Sequence, residues 1–356
     1  MIGLLNTKIN VPASTVGRKR RYNEKNVKIR KTVFIKPNVH LSCGDSLKLY
    51  KNWETPTVIV SDGGYGILGF QGDTHNHLNL PEWYEPHIIE WSKFAQPNTT
   101  LWFWNSEIGW AAVHPILEKF GWEYVNCNVW NKGLGHIAGN VNTTKIRRFP
   151  VVSELCVQYA FKSKINNQTL QEWLISEWKR TGLPFRRANE ACGVKDVATR
   201  KYFDSGHLWY FPPSEMFEKL VNYANQHGKE EGKPYFSVDG VMPLSAQEWA
   251  NMRYKFHCPH GFTNIWERSA LRGKERIKSP IDKNKCAHLN QKPLDLMRLI
   301  IEASSDINDV IWEPFGGLFS ASLAAVLLKR KTYSAEIDPV YYSLGISRFE
   351  NILSFN

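Results

Sequence analysis

The sequence lacks several features that would identify a class of protein at once. No apolar run approaches the ~20 residues that cross a bilayer, and the first residues contain no apolar signal-peptide core. The cysteines are scattered, with no CxxC pair, which is typical of a reducing compartment. They are Cys43, Cys127, Cys156, Cys192, Cys258 and Cys286. These absences argue against a membrane protein or a disulfide-rich secreted protein and favour a cytoplasmic one.

Motifs for the commonest nucleotide cofactors are also missing. The sequence has no GxGxxG fingerprint and no P-loop lysine, which argues against NAD and ATP. Residues 257–260 (His-Cys-Pro-His) and 286–288 (Cys-Ala-His) contain the side chains that zinc prefers, but their spacings match no common zinc pattern. No metal site is therefore expected.

The chain is strongly basic. Its 356 residues carry a net charge of +11, and 42% of them are hydrophobic, enough for a large core. The usual polyanionic partner of such a protein is nucleic acid, although a basic surface also serves solubility. Residues 18–31 hold eight basic side chains against one acidic residue, Glu24. They predict an amino-terminal arm, residues 1–37, that is either solvated or in contact with DNA phosphates.

Short apolar runs alternate with helix-like stretches over most of the chain. The predicted strands are 39–41, 57–61, 100–104, 124–130, 154–161, 310–313 and 332–336, and the predicted helices are 47–52, 81–94, 110–120, 290–303 and 320–328. Such alternation is typical of an α/β fold with a doubly wound, parallel sheet. Residues 166–285 interrupt the pattern, because they are rich in charge and helical at first and irregular later. We therefore expect an α/β domain in two halves, 38–165 and 286–356, around an insertion.

The most informative segment is Asp62-Gly63-Gly64-Tyr65, which follows the second predicted strand. At the carboxyl end of a strand in an open α/β sheet, side chains reach the crevice where ligands bind. A carboxylate there can accept a hydrogen bond from an exocyclic amine, the next carbonyl can accept the amine's other proton, and Tyr65 can stack on the base. An ordinary Asp-Gly turn with a packed tyrosine is the plain alternative.

A second segment of this kind follows the predicted strand 310–313 and runs from Glu313 through Pro314-Phe315-Gly316-Gly317 to Ser320. The two glycines permit close backbone approach, and Ser320 can cap the next helix. About 20 residues on, Glu336 ends a strand at the position where nucleoside-binding folds grip a ribose diol. A tight turn with a solvated Glu336 is the plain alternative.

The order of these segments resembles the beta class of DNA amino-methyltransferases. The resemblance rests on residues 62–65, on 288–294 (His-Leu-Asn-Gln-Lys-Pro-Leu), on 313–317, and on Gly44-Asp45-Ser46 ahead of the catalytic strand. That family uses S-adenosylmethionine to methylate N6 of adenine or N4 of cytosine in DNA. It implies a Rossmann-like methyltransferase sheet with an inserted, mainly helical target-recognition domain, in a bacterial, nucleoid-associated protein.

The resemblance also implies a role for each matching residue. Asp62 and the Gly63 carbonyl would orient the target amine and Tyr65 would stack on the flipped base, so the implied catalytic residues are Asp62, Gly63, Gly64 and Tyr65. Methyl transfer would be direct, without a covalent enzyme intermediate. The residues expected to bind the cofactor are Asp45, Asn290, Lys292, Glu313, Pro314, Phe315, Gly316, Gly317 and Glu336.

The expected recognition insertion contains its own signal. Residues 186–194 and 195–203 predict two helices around Gly193, similar to a helix-turn-helix (184–203) whose second helix enters the major groove. An ordinary helical hairpin is the alternative. Before this insertion, the Gly-rich loop 131–148 is expected to border the active-site mouth. The predicted DNA-binding residues are Arg147, Arg148, Arg186, Arg187, Lys195, Thr199, Arg200 and Lys201.

The sequence departs from the family pattern at three places. Gly63-Gly64 replaces Pro-Pro, which removes the restraint on φ in that loop, Glu313 replaces the usual Asp, and residues 318–320 (Leu-Phe-Ser) replace the usual Ser-Gly-Thr run. The first-position Asp62 favours N6-adenine. N4-cytosine methylation, RNA methylation and a non-catalytic DNA-binding protein on the same fold stay open. A cognate restriction endonuclease and a homodimer are also expectations that only experiment can decide.

Overall fold

The structure is a computed structural model that describes residues 32–68, 73–136, 147–230, 232–279, 284–288 and 290–353. The predicted basic arm lies largely outside these residues. Within them the strands are β1 (Val33–Lys36), β2 (Val39–Cys43), β3 (Val58–Ser61), β4 (Thr100–Asn105), β5 (Trp122–Asn131), β6 (Ser153–Phe161), β7 (Lys164–Ile165), β8 (Gln168–Thr169), β9 (Ile265–Glu267), β10 (Val310–Glu313) and β11 (Lys331–Glu336).

Helices flank this sheet and build the insertion. They are α1 (Leu80–Phe94), α2 (Glu107–Lys119), α3 (Leu170–Arg180), α4 (Arg186–Cys192), α5 (Ser214–His227), α6 (Ala246–Ala250), α7 (Leu294–Ser304), α8 (Ser320–Leu327) and α9 (Pro339–Leu353). In the described part of the chain, none of them is both long enough and apolar enough to span a membrane.

One large sheet organises the chain, with the strand order β1-β2-β11-β10-β3-β4-β6-β5-β9. The five strands from β2 to β4 in this order are parallel to one another, whereas β1 and β6 run antiparallel to their neighbours. The predicted α/β fold with a mainly parallel sheet is confirmed. The chain order reverses between β10 and β3, and in open α/β sheets such a switch point is where ligands bind.

The sheet is buried on both faces because alternate side chains of its central strands enter two different cores. Leu101 and Phe103 of β4 pack with Ile88 of α1 and Val113 of α2. Trp102 and Trp104 point the other way, into a core that includes residues of α7 and α8. Period-two alternation with apolar residues on both faces is what a doubly wound sheet requires.

The insertion has a separate hydrophobic core formed by α3 to α6 and the segments between them. Trp249 of α6 lies in a ring stack, with centroids 4.3 Å from Phe217 and 4.5 Å from Phe211. The predicted boundaries need two corrections. The sheet already begins with β1 inside the predicted arm, and β9, inside the predicted insertion, pairs with β5 and belongs to the large sheet.

Two predicted helices are wrong in detail. The stretch 47–52 forms two short 3-10 turns, Ser46–Lys48 and Tyr50–Asn52, the first capped by the side chain of Asp45. In the helix-turn-helix segment, α4 ends at Gly193, whose φ of 67° suits glycine, but only a π-helical turn, Ala198–Tyr202, follows.

The predicted second helix of that segment, 195–203, does not form as a full helix, and its central residue Thr199 is bonded back to α4. The backbone N–H and hydroxyl of Thr199 bond to the side chain of Asn189, with the hydroxyl 2.9 Å from Asn189 Nδ2. Thr199 is therefore held against α4 and does not project as predicted. Ala188 and Ala198 lie in the core of the insertion, and Val194 packs against it.

Candidate active site

The predicted catalytic and cofactor residues meet at the switch point of the sheet. Asp62 follows β3, Glu313 ends β10 and Glu336 ends β11, so parallel pairing places all three at one edge. A cavity of about 480 Å³ opens there. The predicted residues that line it are Asp45, Asp62, Gly63, Tyr65, Asn290, Lys292, Glu313, Pro314, Phe315, Gly316, Gly317 and Glu336. Gly64 packs behind them.

The loop after β3 leaves two hydrogen-bond acceptors open. The Gly64 carbonyl accepts from the Tyr84 hydroxyl (3.1 Å) and from Asn105 Nδ2 (2.9 Å). In contrast, the Gly63 carbonyl and Asp62 Oδ2 accept no hydrogen bond from any described residue; the bonds to Asp62 all go to its Oδ1. Asp62 keeps 20% of its side chain exposed and lines the cavity. Two acceptors of adjacent residues are thus available to one ligand group.

Asp62 Oδ1 belongs to a buried charge cluster. Lys292 Nζ lies 2.5 Å from it and 3.0 Å from Glu154 Oε1. The Tyr65 hydroxyl lies 2.9 Å from Asp62 Oδ1 and 2.6 Å from Glu154 Oε1. Lys132 Nζ closes the cluster, 2.8 Å from Glu154 Oε2. Two carboxylates therefore share two ammonium groups, which is the pairing that buried charges require.

Burial and pairing shift the proton affinities in this cluster. Burial raises the pKa of Asp62, and Lys292 opposes that shift. Burial acts in the same direction on Glu154, but Lys292 and Lys132 together outweigh it and lower the pKa of Glu154 to about 2. Glu154 is therefore ionised throughout the physiological range, and Lys292 stays charged because the two carboxylates raise its pKa against the effect of burial.

Packing around the two glycines after Asp62 is tight, most of all at Gly63. A Cβ on Gly63 would lie 2.7 Å from two carbons of the Phe315 ring and 2.8 Å from the Tyr84 hydroxyl. At Gly64 the nearest atom would be Asp73 Oδ1 at 3.1 Å. The space beside the Cα atoms of Gly63 and Gly64 is thus filled by other side chains.

Asp73 takes over the restraint that the missing prolines would provide. Its carboxylate accepts hydrogen bonds from the backbone N–H groups of Tyr65 (3.0 Å), Gly66 (2.9 Å) and Ile67 (3.1 Å). Asp73 is itself buried, at 8% exposure. A carboxylate with several N–H donors fixes the conformation of a loop directly. The loop after Asp62 is therefore held in place by hydrogen bonds.

Glu313 stabilises the fold beside the cavity. Its two carboxylate oxygens accept from Ala321 N (2.9 Å) and Ser322 N (2.8 Å), at the start of α8. A carboxylate at a helix amino terminus satisfies otherwise unpaired N–H groups. Burial raises its pKa to about 7. Phe319, at a φ of 55°, fills the space under Gly316, where a Cβ would overlap its ring.

Glu336 faces the cavity from the tip of β11. Its oxygens accept from Gly317 N (2.6 Å) and Asp338 N (2.8 Å), and burial raises its pKa to about 7. Asp45, on the same side of the cavity, caps Leu47 N at 3.0 Å. These contacts fix both carboxylates while leaving them in the cavity wall, where the predicted ribose and adenine contacts require them.

Four residues at the site were not predicted. Glu154 and Lys132 complete the charge cluster, Asp73 holds the loop, and His288 lines the cavity. His288 Nδ1 is buried without a hydrogen-bond partner among the described residues, and burial lowers its pKa to about 4. The sequence offered one signal for these residues, because Glu154 is an acidic residue at the start of a predicted strand. In the structure it lies opposite the carboxyl ends of the two neighbouring strands.

The predicted DNA-binding residues fall into two groups. Arg147 and Arg148 are exposed just before β6, whose Glu154 belongs to the charge cluster around Asp62. The other group lies on the insertion, and no contact between described residues links it to the cavity. Its exposed members are Arg186, Arg187, Lys195, Arg200 and Lys201, of which Arg187 pairs with Glu190 and Arg200 with Asp196.

Comparison with known proteins agrees with this geometry. The family described as DNA methylase, of N6 and N4 methyltransferases, matches residues 50–347. The type II methyltransferase M.HinfI of Haemophilus influenzae is 35% identical over 25% of this chain and 24% of its own. The DNA adenine methyltransferase YhdJ of Escherichia coli K12 is 36% identical over 18% of this chain and 21% of its own. The chain therefore spans about a quarter or less of these relatives' length.

A solved structure also shares the fold. The cytosine-N4-specific PvuII DNA methyltransferase superimposes with a TM-score of 0.50 at 14% identity, covering 89% of this chain and 90% of its own.

Proposed function

Because the chain belongs to the DNA methylase family, we propose that it methylates the exocyclic amine of a base in double-stranded DNA, with S-adenosylmethionine as the methyl donor. The observation that carries this proposal is the pair of open acceptors, Asp62 Oδ2 and the Gly63 carbonyl, at the wall of the cavity. An exocyclic amine offers two N–H donors, and this pair is matched to them.

The cavity fits S-adenosylmethionine. Its volume of about 480 Å³ lies in the range of small-molecule sites. Glu336 would hold the ribose, Asp45 the adenine side and the Gly316-Gly317 turn the methionine part, and His288 Nδ1 offers a buried polar atom without a protein partner. When bound, S-adenosylmethionine supplies an electrophilic methyl group.

Residues of the chain would orient the target amine, stack on the base and receive the released proton. Asp62 and the Gly63 carbonyl accept the two N–H groups of the target amine and thereby turn the nitrogen lone pair toward the cavity. Tyr65, with its hydroxyl fixed by Glu154, presents its ring to the base. Asp62 Oδ2 is placed to receive the proton that the nitrogen loses after the C–N bond forms. The base must leave the duplex for this geometry, as in other enzymes that modify bases.

We favour N6 of adenine as the target because an Asp stands at the first position of the catalytic segment. N4 of cytosine is the alternative within the same chemistry. We assign target recognition to the insertion, residues 166–285, and phosphate contacts to the exposed basic residues there and at Arg147 and Arg148. A cognate restriction endonuclease is the partner that this activity predicts.

The test is expression of the chain in a host without DNA methylation, followed by single-molecule methylation sequencing. We expect one short sequence motif carrying N6-methyladenine; N4-methylcytosine at one motif would correct the base, and an unmodified genome with folded protein would refute the proposal. Asp62→Ala should abolish methylation while DNA affinity stays within threefold of wild type. Equal loss of both properties would remove Asp62 from the chemistry.

A further inference from the structure

Asp62 is held by one side only. Lys292 and the Tyr65 hydroxyl both contact Oδ1, and both also contact Glu154 Oε1. Glu154 lies on β6, the strand that runs antiparallel to the rest of this edge, so its second residue reaches the carboxyl ends of its neighbours. Lys132, just after β5, holds the other oxygen of Glu154 at 2.8 Å.

We propose that Glu154 is a positioning residue of the methyl transfer: through Lys292 it fixes Asp62 by Oδ1, and it holds the Tyr65 hydroxyl, so that Asp62 Oδ2 stays open to the target amine. Lys132 supports this positioning role because it holds Glu154 in place. The inference rests on the proposed function and adds two residues to it.

The geometry distinguishes this role from simple stabilisation. Lys292 Nζ can donate three hydrogens, and Glu154 Oε1 lies 3.0 Å from it, closer than two of its other partners, the Tyr65 hydroxyl (3.2 Å) and the Asn290 carbonyl (3.5 Å). Tyr65 carries a single hydroxyl proton, and Glu154 accepts it at the shorter distance, 2.6 Å against 2.9 Å for Asp62. Glu154 therefore fixes the position of the Tyr65 hydroxyl and accepts one hydrogen of the ammonium group.

The charges around Asp62 give the proposal a signature in the pH dependence. The groups that face it are Lys292 ahead of α7, Tyr65 of its own loop, Glu154 and the Cys156 thiol of β6, Lys132 after β5, and Tyr84 of α1. Glu154 is the one other carboxylate bonded in this cluster, and its charge opposes ionisation of Asp62. Removing that charge should lower the pKa of Asp62. Removing the positive charge of Lys132, which is bound to the other oxygen of Glu154, should raise the pKa of Asp62 by the same Coulombic effect.

The experiment measures single-turnover methylation of a duplex carrying the target motif between pH 5 and 9. Glu154→Gln keeps the shape of the side chain and removes its charge. The acid limb of the pH–rate profile, which reports ionisation of Asp62, should therefore move to lower pH by roughly 1–2 units, the shift expected for neighbouring charges at an effective dielectric of about 20. The plateau rate of this variant should fall at least tenfold, because an amide holds Lys292 and Tyr65 less firmly. Lys132→Met should move the acid limb up.

Glu123→Gln is the matched control, because Glu123 is exposed at the other end of β5, paired with Ala160. It should leave the profile and the rate unchanged. If a thermal unfolding measurement shows that Glu154→Gln is not folded, Lys132→Met alone tests the inference. The inference is overturned if the acid limb of the folded variants stays at the wild-type pH. Absence of methylation by the wild-type protein would instead overturn the proposed function.

Discussion

Placing a side chain at Gly63 should destabilise this protein. Gly63→Ala introduces a Cβ 2.7 Å from two carbons of the Phe315 ring. The ring cannot give way easily, because its centroid lies 4.8 Å from that of His87 and 5.1 Å from that of Trp83. Overpacking of this kind costs typically 1–3 kcal/mol. Gly63 lies outside the positive-φ region, so alanine meets a purely steric penalty there.

The consequence should reach the cofactor, since Phe315 lines the cavity. We expect Gly63→Ala to lower the Tm by a few degrees and to weaken S-adenosylmethionine binding by about tenfold in calorimetry. Gly64→Ala is the matched control: it changes the unfolded chain in the same way, but its Cβ approaches nothing closer than 3.1 Å. It should cost distinctly less in both measurements.

A double-mutant cycle isolates the contact. Phe315→Leu shortens the side chain that Gly63→Ala meets, so the two changes together should cost about 1–2 kcal/mol less than the sum of the single variants. Gly63→Ala with wild-type stability, affinity and methylation rate would refute the packing argument. It would also reopen the question of why this loop carries no proline.

Three further predictions concern neighbouring groups. Asp73→Asn replaces one acceptor oxygen of the loop carboxylate by a donor, so it should cost about 1–2 kcal/mol in denaturant unfolding and lower the methylation rate; an unchanged rate would contradict the role of Asp73. Burial raises the pKa of Glu336 to about 7, so cofactor affinity should rise about tenfold from pH 6 to pH 8 as the carboxylate ionises, and Glu336→Gln should flatten this rise; a wild-type affinity independent of pH would argue against the ribose contact. Replacing Arg147 and Arg148 by Ala should weaken binding to any duplex and reduce the slope of log affinity against log salt by about 1–2, and an unchanged slope would remove both residues from the interface.

The elements that the sequence predicted well are those with strong local signals. The strand 310–313 matches β10 residue for residue, and the helix 81–94 differs from α1 by one residue. Period and turn chemistry are local properties, so one segment suffices to read them. The same signals cannot tell the direction of a strand, which is why β6 was expected in a parallel sheet and proved antiparallel.

The charge cluster lay beyond sequence reasoning for a different reason. Lys292 and Asp62 are 230 positions apart, and Tyr65 and Glu154 are 89 apart, so the cluster exists only after the sheet forms. Lys292 was expected beside the cofactor; it lines the cavity, and its Nζ lies 2.5 Å from the carboxylate of Asp62. The helix-turn-helix segment failed through a side-chain bond, Asn189 to Thr199, that helical periodicity does not encode.

The loop without prolines relies on a different kind of rigidity. Proline restricts φ in the unfolded chain as well as in the folded one, so its contribution persists when the loop opens. The bonds from the loop to Asp73 and from Tyr65 to Glu154 exist only in the closed loop, and each contributes about 1–3 kcal/mol when one partner is charged. The Gly63-Gly64 loop is therefore fixed when the cluster is complete and freer than a Pro-Pro loop when it is broken. Ordering of the loop after Asp62 is thereby coupled to the charges of Asp73 and Glu154, so we expect the two glycines to permit the proposed methylation as long as both carboxylates are present.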